Sequence, residues 1–192
     1  MIVNFRAIWP KTHRQVRAGL LIAVSTMAWL AGTPTPCAAQ PSALEVKAAF
    51  VLNFLKFVEW PSDRPLAPAA PFVIVVIGED PIAGTLRAST AGRTVGTHPL
   101  IVRTAARADD GMSAQLVFIP QSQRGQLPSI LRALDGRLVL TVGDTPGYAE
   151  SGVMLNLIVE GQRVRFEANT AAAARAGIRL SSHLLRIARI VG

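Results

Sequence analysis

The chain has 192 residues, half of them hydrophobic, with 20 Lys and Arg against 12 Asp and Glu, for a formal net charge of +8. Such an excess would suit a nucleic-acid binder, but four of the basic residues and none of the acidic ones precede Gln40, leaving 16 minus 12, or +4. The remaining arginines are spread along the chain, so a nucleic-acid function is not expected.

Arg6, Lys11, Arg14 and Arg17 form a basic region ahead of the apolar run Ala18 to Ala31, the layout of a secretory signal. The run is shorter than the ~20 residues of a spanning helix, and Gly32, Pro34 and Pro36 close it. A retained helix is the competing reading. Cys37 and Ala39 supply the small residues of a cleavage site, so residues 1–39 are expected to be the signal and 40–192 the exported domain. A lipidated Cys37 is a weaker reading, because Pro34, Thr35 and Pro36 stand where small and aliphatic residues belong. With the chain's single Cys removed, no disulfide, thiolate nucleophile or Cys metal ligand is expected. About 150 residues then suit one domain with its own core.

From Leu44 to Trp60, Val46, Phe50, Phe54, Phe57 and Val58 recur at helical spacing, with Lys47, Asn53 and Lys56 largely off that stripe. Pro61 is expected to end the helix, and the proline-rich stretch from Asp63 to Pro71 reads as a connector. Phe72 to Ile77 is a continuous β-branched run, the mark of a strand buried on both faces. Asp80 is placed to cap a short helix that starts at Pro81 and runs to Ala88.

His98 to Thr104 and Gln115 to Ile119 follow as strands. Gln123 to Leu134 reads as a helix with Leu127, Ile130, Leu131 and Leu134 on one face, and Arg137 to Val142 as a fourth strand. This alternation predicts an α/β fold, a largely parallel sheet with helices on both faces. Val153 to Val159 and Gln162 to Ala168 form a hairpin across Glu160-Gly161, which makes the sheet mixed. In its second arm Val164, Phe166 and Ala168 alternate with Arg163, Arg165 and Glu167, so that a charged face is expected opposite a buried one. Asn169 caps a helix from Thr170 to Ala176 that Gly177 ends, and Ser181 or Ser182 caps a last helix through Ile190.

Little in this pattern supports catalysis. His98 and His183 have no second histidine at metal-ligand spacing, and no Gly-x-Ser-x-Gly elbow surrounds a serine. Asp109 and Asp110 are adjacent and do not converge as a catalytic pair must. Gly78-Glu79-Asp80-Pro81 lacks the repeated glycines of a dinucleotide site and sets two negative charges there. No metal and no cofactor are expected. Gly78, Gly143 and Asp144 at strand ends, with Arg179 pairing an anion, would form the pocket of a small-ligand-binding module, the alternative to a protein-binding role.

Several blocks then read together: Val46-Lys47-Ala48-Ala49-Phe50, Asn53-Phe54, Lys56 to Pro61, Ile77 to Pro81, Val139 to Asp144, Val164 to Asn169, and Ala173 to Leu185. In this order, across the mature chain, they resemble the YfiR family of periplasmic proteins. The resemblance implies a non-enzymatic regulator that binds the periplasmic sensory domain of a membrane-bound diguanylate cyclase and represses cyclic di-GMP synthesis, and with it biofilm formation. It also implies a homodimer, and an outer-membrane lipoprotein as a second partner. Some members carry redox-linked disulfides, from which this chain departs. Glu59 and Trp60 at the helix end, and Arg163, Arg165, Glu167 and Asn169 on the hairpin arm, are the expected partner-binding residues. On this reading Glu167→Lys releases the cyclase without unfolding the domain.

Overall fold

Ser42 opens the first helix, α1 (Ala43–Phe57), by a reciprocal cap: its hydroxyl accepts from the Glu45 amide, and the Glu45 carboxylate accepts from the Ser42 amide at 2.7 Å. The computed structural model describes residues 41–61, 66–111, 113–161 and 163–192, within the compact unit Ala39–Gly192; the expected signal segment and Cys37 lie outside the described residues. Ala48, Val51, Leu52, Phe54 and Leu55 form the buried face of α1, whereas Val46, Phe50 and Phe57 are only partly covered. The contact face is thus rotated from the aromatic stripe. The helix also ends at Phe57 rather than Pro61, because Val58–Glu59 forms a strand, β1, that pairs antiparallel with Arg179–Leu180, β9.

The main sheet has eight strands. In chain order they are β2 (Phe72–Ile77), β3 (Thr94–Val95), β4 (His98–Ala105), β5 (Leu116–Ile119), β6 (Leu140–Gly143), β7 (Leu155–Glu160), β8 (Arg163–Asn169) and β10 (Arg189–Val191). Their spatial order is β10-β8-β7-β6-β5-β2-β4-β3, with the five strands from β4 to β7 parallel. β3 and β8 run antiparallel to their neighbours, and β10 runs parallel to β8. Chain order reverses between β2 and β5, the switch point of a doubly wound sheet.

Burial of the strands on both faces follows from two hydrophobic layers. Helices α1, α2 (Pro81–Thr90), α4 (Thr170–Arg175) and α5 (Ser182–Leu185) cover one face through Phe54, Leu86, Ala172 and Leu184, packed on Ile74, Phe118 and Leu140. Phe54 meets Phe166 edge-on at 5.0 Å, a geometry worth ~0.5–1.5 kcal/mol beyond its buried area. On the other face α3 (Leu127–Ala133) and the segment after it bring Leu127, Ile130 and Leu134 onto Val75, Ile77, Val117 and Ile119. The α/β reading holds.

Caps fall where the sequence placed them. Asp80 accepts from the Ile82 amide at 2.9 Å, Asn169 from the Ala172 amide at 2.7 Å, and Ser181 from the Leu184 amide at 3.3 Å. Gly177 ends α4 at φ +72°, in the left-handed region that glycine tolerates. Boundaries differ more. Residues Gln121–Gln126 form a 3-10 helix ahead of α3, and the hairpin turns after Glu160, which itself pairs with Arg163. The last helix stops at Leu185, and Arg189–Val191 joins the sheet instead of extending that helix to Ile190.

Candidate functional site

The face of β8 expected to carry charge is only half open to solvent. Arg163 and Arg165 are exposed near the hairpin turn, but Glu167 is 1% and Asn169 6% exposed. The reason is the connection from β6 to β7, residues 144–154, which folds over this end of the strand face. Asn156, opposite Glu167 in the β7–β8 register, donates from Nδ2 to the Thr145 carbonyl at 3.0 Å and to Glu167 Oε2 at 2.9 Å. Its Oδ1 accepts from the Thr145 amide at 3.2 Å. Asn169 Nδ2 donates to the Ala149 carbonyl at 2.8 Å. Glu167 and Asn169 are therefore structural, which corrects their expected role as partner contacts.

Two cations complete this clamp. Arg189 on β10, opposite Glu167 in register, pairs with the Glu167 carboxylate and lies 3.8 Å from Glu150. Lys47 on α1 reaches Asp144, just past the end of the interior strand β6, at 2.7 Å, both side chains being largely covered. A buried carboxylate is tolerated only when its charge is met and its lone pairs are filled, and these contacts do both for Glu167. The loop is thus held at Asp144, Thr145, Ala149 and Glu150 from four different elements. Asn156, Lys47 and Arg189 were not singled out in the sequence; the only signal was a lone Asn within the apolar run Leu155 to Val159.

Gly143 lies beneath the same loop. A Cβ there would sit 2.6 Å from Tyr148 Cδ2 and 3.1 Å from Asn156 Oδ1, so the ring and the clamp need a glycine. The Tyr148 hydroxyl donates to the Pro120 carbonyl at 3.2 Å. Burial pushes its pKa above the ordinary value; the Asp144 carboxylate adds to that rise, while the Thr145 hydroxyl and Arg124 oppose it.

The ligand-binding residues expected at the strand ends are less available than the pattern implied. Gly78 has φ +76°, but its amide already donates to the Ala105 carbonyl at 2.7 Å, and Gln123 packs where a Cβ would stand. Asp144 is engaged by Lys47. Arg179 is not brought to this group: it is exposed on β9, opposite Glu59 in the two-stranded ladder. The backbone donors an anionic ligand would use at Gly78 and Thr145 are occupied internally. Of the helix-end pair, Glu59 is exposed, whereas Trp60 is partly buried and meets Phe72 edge-on at 5.3 Å. Trp60 belongs with the core.

Among the described residues no helix is long and apolar enough to cross a membrane. A crystal structure of a conserved domain protein from Vibrio cholerae O1 biovar El Tor strain N16961 is similar in fold, with a TM-score of 0.54 and 14% identity. The match covers 79% of this chain but 60% of that one. The ABC domain from Streptococcus pneumonia, in complex with L-Trp, matches at a TM-score of 0.49 and 8% identity, over 66% of this chain and 57% of that one. The model of the family described as YfiR/HmsC-like, a family known for periplasmic regulation, matches residues 44–189, from the second residue of α1 to the first of β10. The chain belongs to the YfiR/HmsC-like family.

Proposed function

We propose that this protein is a non-enzymatic periplasmic regulator that binds the sensory domain of an inner-membrane diguanylate cyclase and represses cyclic di-GMP synthesis, so restraining biofilm formation. The family match along residues 44–189 carries the reading. The clamp supports it as a scaffold: every side chain it holds positions the β6–β7 loop, and its carboxylates are engaged by cations rather than aimed into a cleft. Repression requires only that the regulator bind the inhibited state of the cyclase more tightly than the active one.

Glu59, Arg163 and Arg165 remain the partner-binding residues of this reading, since they are exposed. Ile158, partly buried and opposite Arg165 in the β7–β8 register, adds an apolar contact on the same face as the two arginines. Homodimerisation and capture by an outer-membrane lipoprotein belong to the same proposal. The test is retention of the periplasmic domain of a membrane-bound diguanylate cyclase by the purified protein, together with cellular cyclic di-GMP. Deleting the gene should raise cyclic di-GMP, and Arg163→Glu with Arg165→Glu should raise it while the protein stays folded. If no such domain is retained and deletion leaves cyclic di-GMP unchanged, the reading is lost.

A further inference from the structure

Two adjoining cavities flank α3, and the first of them also reaches α4 and Met154 of the α1-side layer. One, about 320 Å³, lies between the C-terminal half of α3, Met154 and α4; the other, about 300 Å³, lies between the start of α3 and the loop segment Pro146 to Ser151. Leu131 and Ser151 line both, so the two meet at these side chains as neighbouring parts of one grooved surface. Its floor is apolar. Leu127 and Tyr148 underlie one end, and Leu134 and Met154 the other, all of them buried.

The rim is basic. Arg124 stands at one end, and Arg132 and Arg175 at the other, all three exposed; Asp135 is the single carboxylate in the lining. None of these three arginines takes part in an ion pair among the described residues, whereas Arg165 and Arg189 each have a carboxylate partner. Three exposed cations against one carboxylate, beside an apolar floor, favour a ligand that brings carboxylates and apolar groups together. Spacing sets the size of that ligand. Arg124 and Arg132 are eight positions apart on mostly helical backbone, ~12 Å at ~1.5 Å per residue. An extended peptide advances ~3.3 Å per residue, so about four residues would span these two arginines.

We propose that this groove docks an extended acidic peptide segment of a protein partner, its carboxylates on Arg124, Arg132 and Arg175 and an apolar side chain seated against Leu131. One wall is the loop that Asn156, Asn169, Lys47 and Arg189 clamp, so the groove is held in shape before the peptide arrives, which lowers the ordering cost of binding. The inference adds a surface to the regulator reading but does not require that the segment come from a cyclase.

Panning a random peptide display library against the purified protein tests it. Enriched sequences should carry two or more Asp or Glu around an apolar residue. Their affinity, measured by fluorescence anisotropy, should fall by about tenfold or more in the Arg124→Glu, Arg175→Glu double variant, through like-charge repulsion. Arg93→Glu, an exposed reversal outside the groove, should leave it unchanged. Circular dichroism confirms that each variant is folded. Enrichment without acidic residues, or acidic peptides that bind the double variant as well as wild type or lose affinity equally to Arg93→Glu, would overturn the proposal. Cyclic di-GMP in cells carrying the double variant separates the two readings: unchanged repression with lost peptide binding leaves the groove standing and removes it from cyclase control.

Discussion

Replacing Glu167 with Lys is expected to destabilise this protein rather than to free a partner. The carboxylate is 1% exposed, accepts from Asn156 Nδ2 at 2.9 Å and is paired with Arg189. A lysine there removes the acceptor from Asn156, buries an ammonium and faces it with a guanidinium. Breaking a buried ion pair by changing one partner costs about 3–5 kcal/mol. Arg189 is 60% exposed and can swing into water, so the lower end of that range applies. At ~2–4 °C per kcal/mol for a domain of this size, the melting temperature should fall by roughly 6–12 °C. Thermal melts followed by circular dichroism at neutral pH measure it. Glu167→Gln keeps the shape and an acceptor for Asn156, and should cost only about 1–2 kcal/mol. A Glu167→Lys protein melting within about 2 °C of wild type would show that the buried clamp contributes little, and would return Glu167 to the exposed surface that strand alternation suggests.

Two further outcomes test the same region. Gly143→Ala should destabilise by about 1–3 kcal/mol in urea titrations, because its Cβ would meet Tyr148 Cδ2 at 2.6 Å with the ring held by sheet and loop; an unchanged midpoint would mean that the ring yields freely. The chain's one tyrosine, Tyr148, should titrate above 10.0 when tyrosinate absorbance is followed in the folded protein. Because the folded pKa is raised, the stability linked to this group is fully present below pH 10.0 and is lost as the pH rises through the folded value. A midpoint at or below 10.0 would place the phenol in water.

The parts of the fold legible in the sequence are those fixed by neighbouring residues. Phe72 to Ile77 reads as a buried strand because β-branched side chains fill both faces, and Asp80-Pro81, Asn169 and Ser181 announce helix starts through their own chemistry. The elements that escaped are short and non-local. β1 forms only against Arg179–Leu180, and β10 only against Glu167 to Asn169 of β8. Leu184, Leu185 and Ala188 keep a helical spacing, so nothing within that stretch marks the change to strand. Glu167 was misread for the same reason. Alternation places it correctly on the face opposite Phe166, but whether that face meets water depends on a loop more than ten positions earlier in the chain. The groove was invisible altogether, since Arg124, Arg132 and Arg175 come from three separate elements.

The pairing of Glu167 with Arg189 also imposes an order in time. The two are 22 residues apart, and a polypeptide is made from its N-terminus, so the carboxylate emerges well before its guanidinium. A nascent chain halted ahead of Arg189 already contains every strand of the main sheet but β10, yet closing β8 beneath the loop would bury an uncompensated charge. Until residue 189 has appeared, the second half of the sheet is penalised for settling early.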